Sequence, residues 1–153
     1  MTYVAQQDYG KALEAIREAE KNLPVSDEVM HAYIYRNLAE ICCHLDRLDE
    51  AKDALAKCLA YRGREILPEE VRIVNTLLTY KSGDTAGYKR CCAELREHLP
   101  QLHAQESCSC KVLFDCGMDA GDNGAVEWVL DAWTPTCAAT PRRPRSVCGP
   151  RPA

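Results

Sequence analysis

The sequence predicts an all-α chain built from antiparallel helix hairpins that repeat along its length. Three observations point there. Apolar residues at 34, 35, 38, 41, 42 and 45 recur at the three-and-four spacing of an amphipathic helix. The anchor positions Ala12, Ala51, Tyr88 and Val126 are separated by 39, 37 and 38 residues, the regular interval of a repeat array. Aromatic residues make up only 7% of the chain, too few for the alternating aromatic and β-branched runs of a sandwich.

The first element is the stretch Asp8 to Ala19, where Ala12, Ile16 and Ala19 share a face and Pro24 follows. It reads as the second helix of a hairpin whose first helix is represented only by Met1 to Gln6. The next hairpin is the clearest. A helix over residues 32 to 45 carries Tyr35, Leu38, Ala39 and Cys42. A polar turn at Asp46-Arg47 leads to a second helix with Ala51, Ala54, Leu55, Cys58 and Leu59 on one face. Gly63 is expected to end that helix in the left-handed conformation that glycine adopts at little cost.

Two further copies follow. Val71, Val74, Leu77 and Leu78 supply a leading helix, Ser82-Gly83-Asp84 a turn, and Tyr88, Cys92 and Leu95 a trailing helix. Val112, Leu113 and Cys116, then Ala120-Gly121-Asp122, then Val126, Leu130 and Trp133 repeat the scheme. Pro68 and Pro100 fall between elements, where proline is tolerated. Trp128 and Trp133 are expected to cap the last hairpin.

The spacing of Tyr35, Leu38-Ala39, Cys42, Ala51 and Leu55 resembles the tetratricopeptide repeat, with Cys58 at a small-residue position. Gly63 stands in place of the family's closing proline, Cys42 in place of an aromatic, and Tyr88 in place of a small alanine. The resemblance covers roughly residues 3 to 133 and implies hairpins stacked as a right-handed solenoid, about three and a half of them. It divides the chain into a repeat array, 1–133, and a tail, 134–153, whose five prolines, four arginines and lack of acids read as disordered.

The resemblance also implies a function carried by shape: protein or peptide binding in a concave groove lined by the leading helices. The polar positions Tyr33, Arg36, Asn37, Glu40 and His44 recur three to four residues apart and so share a face. The next hairpin offers Arg72, Asn75, Thr76 and Thr79. Asn and Arg can hydrogen-bond a peptide backbone or a carboxylate. An incomplete first repeat predicts self-association through an exposed apolar face. The alternative reading is the N-terminal sensory or dimerisation region of a bacterial signalling protein such as a diguanylate cyclase, the catalytic domain lying elsewhere.

Other function classes find no support. The net charge is −4; the four tail arginines leave the body with fifteen Lys and Arg against twenty-three acids, a net −8. An acidic body disfavours a nucleic-acid groove. No apolar run reaches the ~20 residues of a membrane span, and the start lacks a basic then apolar leader, which predicts a cytoplasmic protein with reduced thiols. Cys108, Cys110 and Cys116 with His98 and His103 do not have the paired spacing of a zinc site. The stretch Asp119 to Gly124 fails as a calcium loop, since Leu130 stands where a closing Glu is required. No phosphate loop, HExxH or GxSxG occurs. No cofactor, metal or catalytic residue is expected.

Overall fold

The computed structural model describes residues 8–98 and 107–133, in which there are eight α-helices and no strand. In chain order they are α1 (Tyr9–Asn22), α2 (Glu28–His44), α3 (Leu48–Ala60), the single turn α4 (Gly63–Ile66), α5 (Pro68–Lys81), α6 (Thr85–His98), α7 (Ser107–Asp119) and α8 (Asn123–Trp133). Residues 1–7, Pro100, His103, the tail, and the side chains of His98, Cys108, Cys110, Val112 and Trp133 lie outside the described residues.

The helices pair as α2 with α3, α5 with α6, and α7 with α8. The leading helices also pack on one another, α2 on α5 and α5 on α7, while α1 packs on α2 and α3 on α5. Each hairpin turns through the same device. Asp46, Gly83 and Gly121 have left-handed φ values of 56°, 74° and 64°. At Asp46 the N–H donates to the Cys43 carbonyl, and that of Arg47 to the Cys42 carbonyl. Gly83 and Asp84 donate likewise to Tyr80 and Thr79, and Gly121 and Asp122 to Met118 and Gly117. This is the Schellman closure, which satisfies the carbonyls left open at a helix end. In the last two turns the residue after the left-handed one caps the next helix: Asp84 Oδ1 accepts from Gly87 N at 2.8 Å, and Asp122 Oδ1 from Ala125 N at 3.0 Å.

Most of the core is one cluster. It joins Ala12, Leu13 and Ile16 of α1 to Ala32, Ile34, Tyr35, Ala39 and Ile41 of α2, and to Ala51, Ala54 and Leu55 of α3. It continues through Val71, Val74, Leu77 and Leu78 of α5 to Tyr88 and Cys92 of α6. A smaller cluster gathers Ile73, Leu95, Leu113 and Val129, with Trp128 packed against it. Cys42, Cys43 and Cys58 are fully buried and fill small gaps between helices as apolar groups do. Tyr88, at the position where the repeat pattern wants a small residue, is accommodated by tilting against Tyr80 at 5.4 Å between centroids.

Two boundaries differ from the sequence reading. The helix α2 starts at Glu28, a full turn before residue 32, because Asp27 caps it by accepting from Met30 N at 3.0 Å. The helix α3 stops at Ala60, and the left-handed residue after it is Arg62 at φ 59°, not Gly63. Gly63 is buried instead, and a Cβ placed on it would lie 2.3 Å from Cys58 Sγ and 2.6 Å from the Cys58 carbonyl oxygen. Close approach of backbones, and not handedness, requires the glycine.

Gly63→Ala should therefore cost about 2–3 kcal/mol, since the Cys58 backbone must shift. Gly83→Ala, strained only by its φ of 74° with open space around the new methyl, should cost about 1 kcal/mol. Urea denaturation of both variants checks the order; equal losses would mean that the Cys58 contact relaxes freely.

Candidate partner-binding face

The leading helix α2 is closely surrounded, with α1, α3, α4 and α5 all against it. That crowding decides the fate of its polar residues. Arg36 and Glu40 are one turn apart and form an ion pair at 2.7 Å, with side chains 12% and 6% exposed. Arg36 Nη1 also donates to Asn37 Oδ1 at 2.8 Å. The structure places Arg36 and Glu40 between packed helices, so these two do not form the open polar face expected of them. Asn37 is half-buried beside them. His44 stacks on Tyr9 of α1, with centroids 4.3 Å apart. Tyr33 alone of the five is exposed.

On α5 the expected set is divided between buried, half-buried and exposed positions. Thr76 is fully buried and its hydroxyl donates to the Arg72 carbonyl at 2.8 Å. Thr79 donates to the Thr76 carbonyl at 2.9 Å. Asn75 is exposed, and its Nδ2 donates to Cys91 Sγ on α6 at 3.4 Å. Arg72 is half-buried. The α2 residues and the α5 residues are thus engaged in separate sets of local contacts.

What the sequence reading missed lies at the N-terminal end of α2. Val25, Val29, Met30 and Tyr33 are all large, apolar and exposed. Val29 and Met30 stand four and three residues before Tyr33, so one edge of α2 carries an apolar stripe, and Val25 lies in the turn that precedes the helix. Asp27 was the available signal: a capping residue there starts the helix early enough to place Val29 and Met30 on it.

Behind the stripe sits a stacked aromatic group that braces this end of α2. His31 lies 4.6 Å from Tyr61 and 6.1 Å from Tyr35, with rings within 16° of parallel. The Tyr35 hydroxyl donates to Glu20 Oε1 at 2.7 Å, and Lys57 Nζ stands 5.2 Å from the Tyr35 ring centre. Burial and the donated bond push the Tyr35 hydroxyl up to about 12.

A cleft of about 220 Å³ opens between α1, α2 and α3, lined by Arg17, Glu20, Leu38, Cys42, Glu50, Asp53, Ala54 and Lys57. Much of its charge is neutralised internally. Glu50 takes Arg17 at 2.9 Å and Arg47 Nε at 2.7 Å, while the Glu20 carboxylate keeps its charge and accepts from the Tyr35 hydroxyl. Among the described residues no group of three or more His, Cys, Asp or Glu could hold a metal ion. Within the same residues no helix is long and apolar enough to cross a membrane. The buried thiols of Cys42, Cys58 and Cys92 are pushed up, by burial first, which keeps them protonated and unreactive. No family model, curated protein or solved structure matches the chain.

Proposed function

We propose that this chain is a tetratricopeptide-like array of stacked helix hairpins that binds a protein or peptide partner and serves as a scaffold. Three Schellman turns of the same form, at Asp46, Gly83 and Gly121, support the repeat reading. They recur at the intervals that the anchor residues predict, and each joins a leading to a trailing helix. The observation that carries the binding function is the exposed apolar stripe Val29, Met30 and Tyr33, with exposed Val25 in the turn before it. Contiguous exposed apolar residues at one end of a helix mark a surface that another chain covers. Asn37, half-buried next to Tyr33, offers a polar edge to that surface.

The experiment is site-directed photo-crosslinking with the full chain. A benzophenone amino acid replaces Tyr33 in one variant and Ala56, exposed on α3, in another. In native lysate the probe at 33 should capture a discrete partner that the probe at 56 does not. Adding Met30→Asp should abolish the product. Capture at 56 alone, or at neither position, would remove the α2 stripe as the binding surface.

A further inference from the structure

The repeat register shows what kind of object the α2 stripe is built to receive. The left-handed turn residues Asp46 and Gly83 are 37 apart, so each residue of the second hairpin has a counterpart 37 positions later. Counterparts in the packed interior agree: Ile34 is 5% exposed and Val71 is 6%. At the start of the helix they diverge. Met30 is 46% exposed, while its counterpart Leu67 is 2%. Val29 is 48% exposed, while Ile66 packs against the core. Leu67 and Ile66 are covered because the α2–α3 hairpin precedes them in the stack, and the short turn α4 packs on both of its helices. Of a preceding hairpin only α1, the counterpart of α3, is described; it packs on α2 yet leaves Met30 and Val29 exposed, and no described helix takes the place of a preceding leading helix.

We infer that the stripe receives an amphipathic helix from a partner, seated where a preceding leading helix of the stack would lie, with basic residues flanking its apolar face. This rests on the binding function proposed above and names the chemistry of the partner. The helical form follows from the interface being copied, since packed helices fill that place elsewhere in the array. The apolar face follows from Val29, Met30 and Tyr33; methionine at an exposed interface adapts to varied apolar side chains. The basic flank follows from charge. Exposed Glu28 begins α2, Asp27 caps it, Glu69 and Glu70 open α5, and the body carries a net −8 from fifteen basic and twenty-three acidic residues. The cations near this end are Lys21 in the last turn of α1, Lys57 over the Tyr35 ring, Arg64 on α4, and Arg62, whose guanidinium is taken by Glu65; the acids Asp27, Glu28, Glu65, Glu69 and Glu70 outnumber them. An acidic flank on the incoming helix would meet like charge.

The test is calorimetric titration of the full chain with a Leu/Lys amphipathic peptide of ~18 residues, about 27 Å as a helix. Two controls share its length: a scrambled peptide of the same composition with no apolar face, and a Leu/Glu peptide with the same apolar face. Saturable one-to-one binding of the Leu/Lys peptide is expected, at least about tenfold tighter than either control. Met30→Asp and, separately, Val29→Asp should each weaken it about tenfold or more. Those variants make the surface more negative, so simple adsorption of a cationic peptide would strengthen and not weaken. Both positions are about half exposed, and circular dichroism with thermal melting checks that the variants stay folded. Equal binding of the scrambled peptide, binding untouched by both substitutions, or no binding at all would overturn the inference. A dimer seen by sedimentation and dispersed by Met30→Asp would overturn it in favour of a second copy as the occupant. If crosslinking at Tyr33 still finds a partner while the Leu/Lys peptide fails, the binding function stands and the helical, basic identity falls.

Discussion

Arg36→Met should destabilise the fold by about 3–5 kcal/mol, the cost of leaving one member of a buried ion pair without its mate. Glu40, with its side chain 6% exposed, would then hold a charge away from water with Arg36 gone from 2.7 Å. Removing both charges should restore most of the loss. Arg36→Met combined with Glu40→Leu replaces the pair with apolar side chains of similar reach, and such exchanges are often neutral or stabilising. Guanidinium denaturation of the two single variants and the double gives the coupling directly. Additive losses would mean that water reaches the pair and that it contributes as little as a surface bridge. The result also bears on function. A binding defect in an Arg36 variant would follow from lost stability, so Tyr33 and Met30, both about half exposed, are the positions at which the proposed binding is tested.

The paired helices were legible in the sequence because their determinants are local. Turn residues such as Gly83 and Gly121 and caps such as Asp84 and Asp122 act through their own backbone neighbours, and the apolar spacing of Val71, Val74, Leu77 and Leu78 sets one buried face. The all-helical class followed from these. Which polar residues stay exposed was harder to read, because whether a polar residue meets water depends on how many neighbours its helix acquires. Arg36 and Glu40 sit at helical spacing like any solvated i, i+4 pair, yet four helices surround α2 and bury them. Thr76 carries the same lesson: its hydroxyl bonds to the carbonyl one turn back, so a polar side chain can occupy a core position at no cost in unmet hydrogen bonds. Gly63 was read by the commonest use of glycine after a helix, and nothing in its neighbours announces that the Cys58 backbone approaches within contact distance.

The thiols of the core should make the fold unusually sensitive to alkali. Cys43 on α2 and Cys116 on α7 are both pushed up from 9.0 to about 12, burial being the first cause and neighbouring acidic groups adding to it. In the unfolded chain such a thiol ionises near its ordinary value of 9.0, whereas in the folded chain it stays protonated until about 12. Between those values the unfolded state binds fewer protons than the folded one, so stability falls as pH rises. Each group contributes a slope of about 1.4 kcal/mol per pH unit in that window, so the two together remove about 3 kcal/mol per unit. Below pH 9 both states hold the proton and the stabilisation is complete. Tyr88, also raised by burial, extends the loss to higher pH. From pH 9 to pH 12 that amounts to about 8 kcal/mol, so a 17.1 kDa chain in the lower half of the ordinary range of about 5–15 kcal/mol should unfold before pH 12. Urea midpoints measured from pH 8 to 11 by circular dichroism should stay level to about 9 and then drop. The Cys43→Ala, Cys116→Ala double variant should start lower, since two packed side chains have been trimmed, but show a flatter alkaline limb. A parallel limb in that variant would assign the alkaline transition to the other raised thiols and the tyrosines and show that Cys43 and Cys116 are reached by water.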